Sequence, residues 1–304
     1  MPMASSPSIE IKNLSKRYTG SKEYAVKSLG LSVMPGEIYG FLGPNGAGKS
    51  TTIRILLNFI QPTSGSATIL GRDIVKDSVL IKRSIGYLSS DMAMYPKMTG
   101  KQFLDYMSQL QPTVDNTYRR ELVHKLKADV NKSLGSLSRG NRQKFAIIQA
   151  LMNKPEVLIL DEPSSALDPL MQEVFYSLLK ESKSMGVAIF MSSHILSEVQ
   201  KICDRVGIIR DGRLIAERSI ADMAKDASHT FFVTFKSEPP IKELRTINGV
   251  TVESHDDNRV SIRVKANLPT LLSLLSKHNV VQLEVRQLDL EELFLHFYKD
   301  EGKK

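Results

Sequence analysis

A chain of 304 residues with 41% apolar and 24% charged residues has ordinary globular composition, which argues against wholesale disorder and against a coiled-coil rod. Its formal charge of +8, from 41 basic and 33 acidic residues, favours anionic partners such as nucleotides, nucleic acid or an anionic membrane surface, although no long basic run marks a nucleic-acid arm. Cys203 is the only cysteine, which excludes a disulfide framework and a cysteine-clustered metal site. Apolar runs such as 187–191 fall far short of the roughly 20 residues that a bilayer span needs, and the N-terminus MPMASSPS has no basic flank and apolar core of a secretory signal. The expectation is a soluble, intracellular chain.

In chain order, residues 9–11 and 29–33 read as short strands, with a turn at 34–37 around Pro35 and Gly36. The apolar run 38–42 has strand length and stops in a glycine-rich loop, after which 50–59 has a helical pattern. From about 96 to 132 the periodicity is helical, with Phe103, Tyr106, Met107 and Leu110 three to four residues apart. Residues 157–160 and 187–191 read as buried parallel strands separated by helix, so the first part of the chain predicts an α/β layer on a mainly parallel sheet. Residues 221–230 are polar and aperiodic and predict a linker. Beyond it, strands at 231–235, 250–253, 260–264 and 280–285, with helices at 268–276 and 290–298, predict a small α+β domain over 231–304. The alternation of Val260, Ile262 and Val264 requires that one face of its sheet be covered.

Gly43-Pro44-Asn45-Gly46-Ala47-Gly48-Lys49-Ser50-Thr51 fits the pattern G-x-x-x-x-G-K-[ST], between an apolar strand and a helix. The glycines let the backbone wrap a phosphate, and the helix start adds free N–H donors and a favourable dipole. Lys49 supplies a point charge for the β- and γ-phosphates, and the Ser50 hydroxyl can ligate Mg²⁺. The run 157–160 ends in Asp161 and Glu162. A strand end can hold Asp161 against a Mg²⁺ shell while Glu162, one residue on, polarises a water.

Between these motifs lies Leu137-Ser138-Arg139-Gly140-Asn141-Arg142-Gln143, followed after the acid pair by Ser165-Ala166-Leu167-Asp168 and then Ser192-Ser193-His194. In this order the motifs resemble those of the ATP-binding cassette (ABC) ATPases: the signature LSGGQ, the D-loop and the switch histidine, over about residues 8–220. The resemblance implies a P-loop cassette over 1–220, with a mainly parallel core sheet, an antiparallel β subdomain and a helical subdomain, carrying the α+β domain behind it.

It implies further that ATP and Mg²⁺ bind. Tyr18 stands where the family stacks an aromatic ring on adenine, Glu162 takes the place of the general base, and His194 that of the residue positioning the γ-phosphate. Ser138, Gly140 and Asp168 match residues that meet nucleotide across a dimer interface. The implied assembly is a head-to-tail homodimer, or a pair with a sister cassette, around two ATP molecules. It would drive separate integral membrane permease subunits from the cytoplasmic face of the cell membrane. The tail from Leu288 to Phe294 is similar to that of bacterial export-type cassettes, so export is the expected direction.

A stand-alone ABC ATPase acting on nucleic acid or a ribonucleoprotein is the alternative. It is disfavoured because Lys49 and Ser138 lie too close for a coiled-coil insertion, one cassette is present, and no cysteine-ligated zinc is possible; no nucleic-acid partner is expected. One position departs from the family. Where the strand 85–88 would be followed by a glutamine reaching Mg²⁺ and the attacking water, this chain has Ser90, or Asp91 if the register shifts by one.

Overall fold

The computed structural model describes residues 6–90, 93–110, 115–226 and 229–287, and the chain divides into two compact units, Met1–Ser219 and Ile220–Lys304. The first unit opens with β1 (Ile9–Lys16), β2 (Val26–Val33), β3 (Ile38–Leu42) and α1 (Lys49–Leu56). There follow β4 (Ser64–Ile69), the short β5 (Arg72–Asp73), α2 (Ser78–Ser84) and β6 (Ile85–Leu88). Three helices come next, α3 (Gly100–Gln109), α4 (Asn116–Lys125) and α5 (Arg139–Leu151). The unit closes with β7 (Val157–Asp161), α6 (Pro169–Ser184), β8 (Ala188–Ser193), α7 (Leu196–Ile202), β9 (Arg205–Arg210) and β10 (Arg213–Ser219).

An antiparallel sheet runs β2-β1-β4-β5, and a second sheet runs β10-β9-β3-β8-β7-β6, parallel throughout except for β10 against β9. β3, β7 and β8 are buried at every position, as strands covered on both faces must be. The two sheets share one apolar core, to which Ile9, Leu14 and Leu29 contribute from one and Tyr39, Phe41, Ile159 and Phe190 from the other. The pairs Leu42↔Ser193, Asp161↔Ser192 and Leu88↔Leu160 bring the C-terminal ends of β3, β8, β7 and β6 to one edge. That edge is where open α/β sheets bind ligands.

In the helical stretch, Thr99 and Gln102 form a capping box that starts α3. The helix buries Phe103 and Leu104, and Gly100 comes so close to the Phe145 ring of α5 that a Cβ there would lie 2.4 Å from it. The expected stripe is therefore only partly the buried face: Tyr106 and Leu110 are exposed, because close packing at Gly100 turns α3 towards Phe103 and Leu104. No helix among the described residues is long and apolar enough to cross a membrane.

The second unit contains α8 (Ile220–Asp226), β11 (His229–Phe235), α9 (Ile241–Thr246), β12 (Val250–Asp256), β13 (Arg259–Val264), α10 (Leu268–Leu275) and β14 (Val280–Gln287). Its antiparallel sheet runs β12-β13-β11-β14. Val260, Ile262 and Val264 are buried with Phe231, Val233 and Phe235 against Leu244 of α9 and Leu271 and Leu275 of α10, which cover one face. The stretch expected as a linker, 221–230, instead carries most of α8 and the start of β11; Met223, its one large apolar residue apart from the flanking Ile220, is buried and anchors the short helix. The helix expected over 290–298 lies outside the described residues.

At the start of β3, Glu37 is buried and accepts from the Met34 N–H at 2.7 Å. Arg205 bridges it, at 2.9 Å, to Glu217, at 2.7 Å. Tyr39 donates to Glu217 at 2.8 Å, and burial, reinforced by the Glu217 charge, holds its hydroxyl well above the ordinary range. Arg205→Ala leaves a buried carboxylate without its cation, a change that costs about 3–5 kcal/mol when a pair is fully buried. Because Arg205 keeps 31% exposure, we expect the low end of that range, read from denaturant unfolding with Arg205→Lys as the milder comparison.

Candidate active site

β3 delivers the chain directly into Gly43, and the loop returns into α1 through Gly48. Gly46 and Gly48 have φ of 82° and 110°, in the left-handed region that L side chains rarely adopt. At Gly48 a Cβ would in addition lie 2.5 Å from the Ala25 carbonyl oxygen, so glycine is required there on two counts. α1 buries Thr52, Ile53, Ile55 and Leu56, which fixes its N-terminal N–H groups over the loop. Pro44, Asn45 and Gly46 are exposed, while Lys49 is buried. The Lys49 ammonium bends back across the loop and donates to the carbonyls of Gly43 at 2.7 Å and Pro44 at 3.1 Å.

Asp161, at the end of β7, is 5% exposed, and its Oδ1 accepts two hydroxyls, from Ser192 at 2.7 Å and Ser50 at 3.2 Å. Glu162 follows with φ of +48°, a strained value for a side chain of its size. Its Oε1 lies 3.4 Å from Lys49 Nζ and 3.2 Å from His194 Nδ1, so one carboxylate oxygen faces both an ammonium and an imidazole. The Glu162 N–H donates to the carbonyl of Ser192 at 3.2 Å and to its Oγ at 3.1 Å.

His194 is partly exposed and sits just past β8. The loop carrying it is tied down by Ser193, whose Oγ donates to buried Glu198 at 2.7 Å and accepts from the Ile195 N–H at 2.9 Å. Glu198 also accepts from Tyr176 at 3.3 Å, and burial, with the Glu198 charge second, pushes that phenol far above its usual range.

Lys49, Ser50, Asp161, Glu162 and His194 thus converge at one edge of the sheet. Tyr18 lies beyond β1, partly exposed, with its hydroxyl 3.4 Å from Thr51 Oγ1 and the Lys16 ammonium 5.4 Å from its ring centre. Among the described residues, no hydrogen bond or ion pair joins Ser138, Gly140 or Asp168 to this cluster. Ser138 caps α5 by accepting from the Asn141 N–H at 3.3 Å, and Asp168 caps α6 by accepting from the Met171 N–H at 3.0 Å. At Gly140 a Cβ would lie 2.7 Å from the Ala166 carbonyl oxygen, and Gln143 donates to the Pro163 carbonyl at 2.7 Å, so α5 leans directly on the loop after Glu162. Ser90, partly buried, lies two residues past Leu88, which pairs with Leu160; Asp91 is outside the described residues.

Ser192 and Glu198 are the functional candidates that motif reading passes over. The signal for Ser192 is a break in pattern: Phe190 and Ala188, two and four residues earlier on the same face of β8, are fully buried and apolar, and a hydroxyl interrupts that column. The hard oxygens of Ser50 and Asp161 fit Mg²⁺ in kind, and they sit beside a loop built for phosphate.

The sequence profile described as ABC transporter matches residues 26–165. The uncharacterized ABC transporter ATP-binding protein YhcH of Bacillus subtilis is 32% identical over 293 residues, covering 94% of each chain. The bacitracin transport ATP-binding protein BcrA of Bacillus licheniformis is 39% identical over 218 residues, covering 69% of each. Among solved structures, an ATP-binding subunit of an ABC transporter superposes with a TM-score of 0.67 at 27% identity, over 72% of this chain and 92% of that one.

Replacing Gly48 with alanine puts a Cβ against the Ala25 carbonyl in a left-handed conformation, which costs about 1–3 kcal/mol in strain alone. Gly48→Ala is expected to lose nucleotide binding by fluorescence titration and to melt lower, whereas Gly71→Ala, with open space around it but also positive φ, serves as the strain-only control.

Proposed function

This chain belongs to the ABC transporter ATP-binding proteins and is an ABC ATPase, and we propose that it works as a head-to-tail pair of cassettes that hydrolyses ATP to drive separate membrane permease subunits. The observation that carries this reading is Glu162 Oε1 facing both Lys49 and His194, one residue from Asp161. Lys49 exchanges its bonds to the Gly43 and Pro44 carbonyls for β- and γ-phosphate oxygens, which the loop N–H groups also receive. Glu162, relieved of its ammonium neighbour, accepts the proton of the attacking water, and His194 steadies the γ-phosphate. Ser50 and Asp161 would hold Mg²⁺, which would supply positive charge to offset the negative charge of the phosphates. Tyr18 supplies a face for adenine.

Ser138 and Gly140 stand at the N-terminus of α5, whose free N–H groups suit an anion. With no hydrogen bond or ion pair to the Lys49 cluster of their own chain among the described residues, they serve the nucleotide of the paired cassette, with Asp168 at the same interface. The pair sits on the cytoplasmic face of the membrane. The likeness of residues 288–294 to the tails of export-type cassettes favours export as the direction.

Glu162→Gln removes the base and leaves the phosphate ligands in place. It is expected to lower ATP turnover by about 10²–10⁴-fold and to elute as an ATP-dependent dimer on size exclusion; a monomer hydrolysing at the wild-type rate would overturn the assignment. Ser90 is two bonds shorter than the family's glutamine. Ser90→Gln is therefore expected to raise the basal rate and reduce the Mg²⁺ concentration for half-maximal activity, with an unchanged Mg²⁺ titration ruling Ser90 out of the metal's surroundings.

A further inference from the structure

We propose that Ser192 is a positioning residue of the ATPase site, holding the Asp161 carboxylate and the Glu162 backbone in one fixed arrangement through a single buried hydroxyl. The inference rests on the assignment of Asp161 and Glu162 made above. Ser192 is 0% exposed, in the middle of the sheet between β3 and β7. Its Oγ donates to Asp161 Oδ1 at 2.7 Å and accepts from the Glu162 N–H at 3.1 Å, so its one proton and one of its lone pairs are spent on consecutive residues.

Nothing in the packing of β8 calls for a hydroxyl at this position. Ala188 and Phe190 fill the same column with apolar atoms, and a buried hydroxyl is unfavourable unless it is bonded. Its partners explain its presence. With Ser50 and Ser192 both donating to Oδ1, the Asp161 side chain has a fixed rotation. Glu162 is held at φ of +48°, a conformation that persists only where surrounding bonds over-determine it. The two acceptor atoms of Ser192 supply those bonds at the Glu162 N–H, and they thereby aim the side chain whose Oε1 meets Lys49 and His194. Ser192 touches no reacting atom. It acts through the metal-binding acid and the base together.

The test compares Ser192→Ala, Ser192→Thr and Ser192→Cys with wild type and Glu162→Gln in the full chain. Three readouts are needed: steady-state ATPase kinetics, thermal melting, and binding of trinitrophenyl-ATP with and without Mg²⁺. Loss of an outer hydrogen-bond partner of a metal ligand typically costs about 10- to 100-fold in metal affinity or activity. Ser192→Ala is accordingly expected to lose that much in kcat, with KM for MgATP rising as the Mg²⁺-dependent part of its nucleotide affinity is lost. In the absence of turnover, it should also lose most of the gain in nucleotide affinity that Mg²⁺ confers, while its Mg²⁺-free affinity stays at the wild-type value. Ser192→Thr, which keeps the hydroxyl, restores both. Ser192→Cys, near in size and a poor donor, behaves as alanine does and carries the test if the alanine protein does not fold.

Wild-type kcat in Ser192→Ala beside an inactive Glu162→Gln overturns the role of Ser192 alone. A fall in Mg²⁺-free nucleotide affinity that tracks a lower melting temperature also overturns it, since that is the mark of a merely structural residue. A Glu162→Gln protein that still hydrolyses ATP overturns the underlying assignment and this one with it.

Discussion

A buried negative charge at the end of β7 is the constraint around which the first unit is arranged. Asp161 is nearly excluded from water, and an ionised carboxylate in that position is costly unless its hydration is replaced by bonds. The replacement comes from two separate places in the chain, Ser50 in the first turn of α1 and Ser192 on β8. These groups meet only because β8 lies between β3 and β7 with all three running parallel. A different strand order would leave the carboxylate buried without donors.

Gly46, Gly48 and Glu162, all at this edge, have positive φ. Two are glycines, for which this conformation is free of steric cost, and the third is a glutamate, for which it is not. The strain at Glu162 is offset by the two acceptors of Ser192. The consequence is a carboxylate placed by backbone geometry, not by a freely rotating side chain on a loop. Rigid placement of this kind is what positioning a reactive group within a few tenths of an ångström demands.

Charged groups gather at the two ends of β3, and aromatic packing separates them. At the start of the strand, Glu37, Arg205 and Glu217 form a compensated group with the neutral Tyr39 hydroxyl. At its far end lie Lys49, Asp161, Glu162 and His194. Between them Phe190 packs on Tyr39 and Phe41, with ring centroids 5.9 and 5.3 Å apart. The sheet interior is thus apolar along its length, and polar chemistry is met only where the strands end.

Much of this was legible in the sequence. The phosphate loop between a strand and a helix and the acid pair after an apolar run are local patterns, since each depends on neighbours only a few residues away. Other features were not legible. The buried face of α3 was set by the close approach of Gly100 to Phe145, and the polar stretch 220–226 became a helix with Met223 buried. The bond from Ser192 to Asp161 joins residues 31 apart. Local spacing encodes the backbone path of each element, because torsional preference and hydrophobic period act over one or two turns. Which hydroxyl meets which carboxylate depends on strand order and register, and those are decided only when the apolar faces of the whole unit pack together.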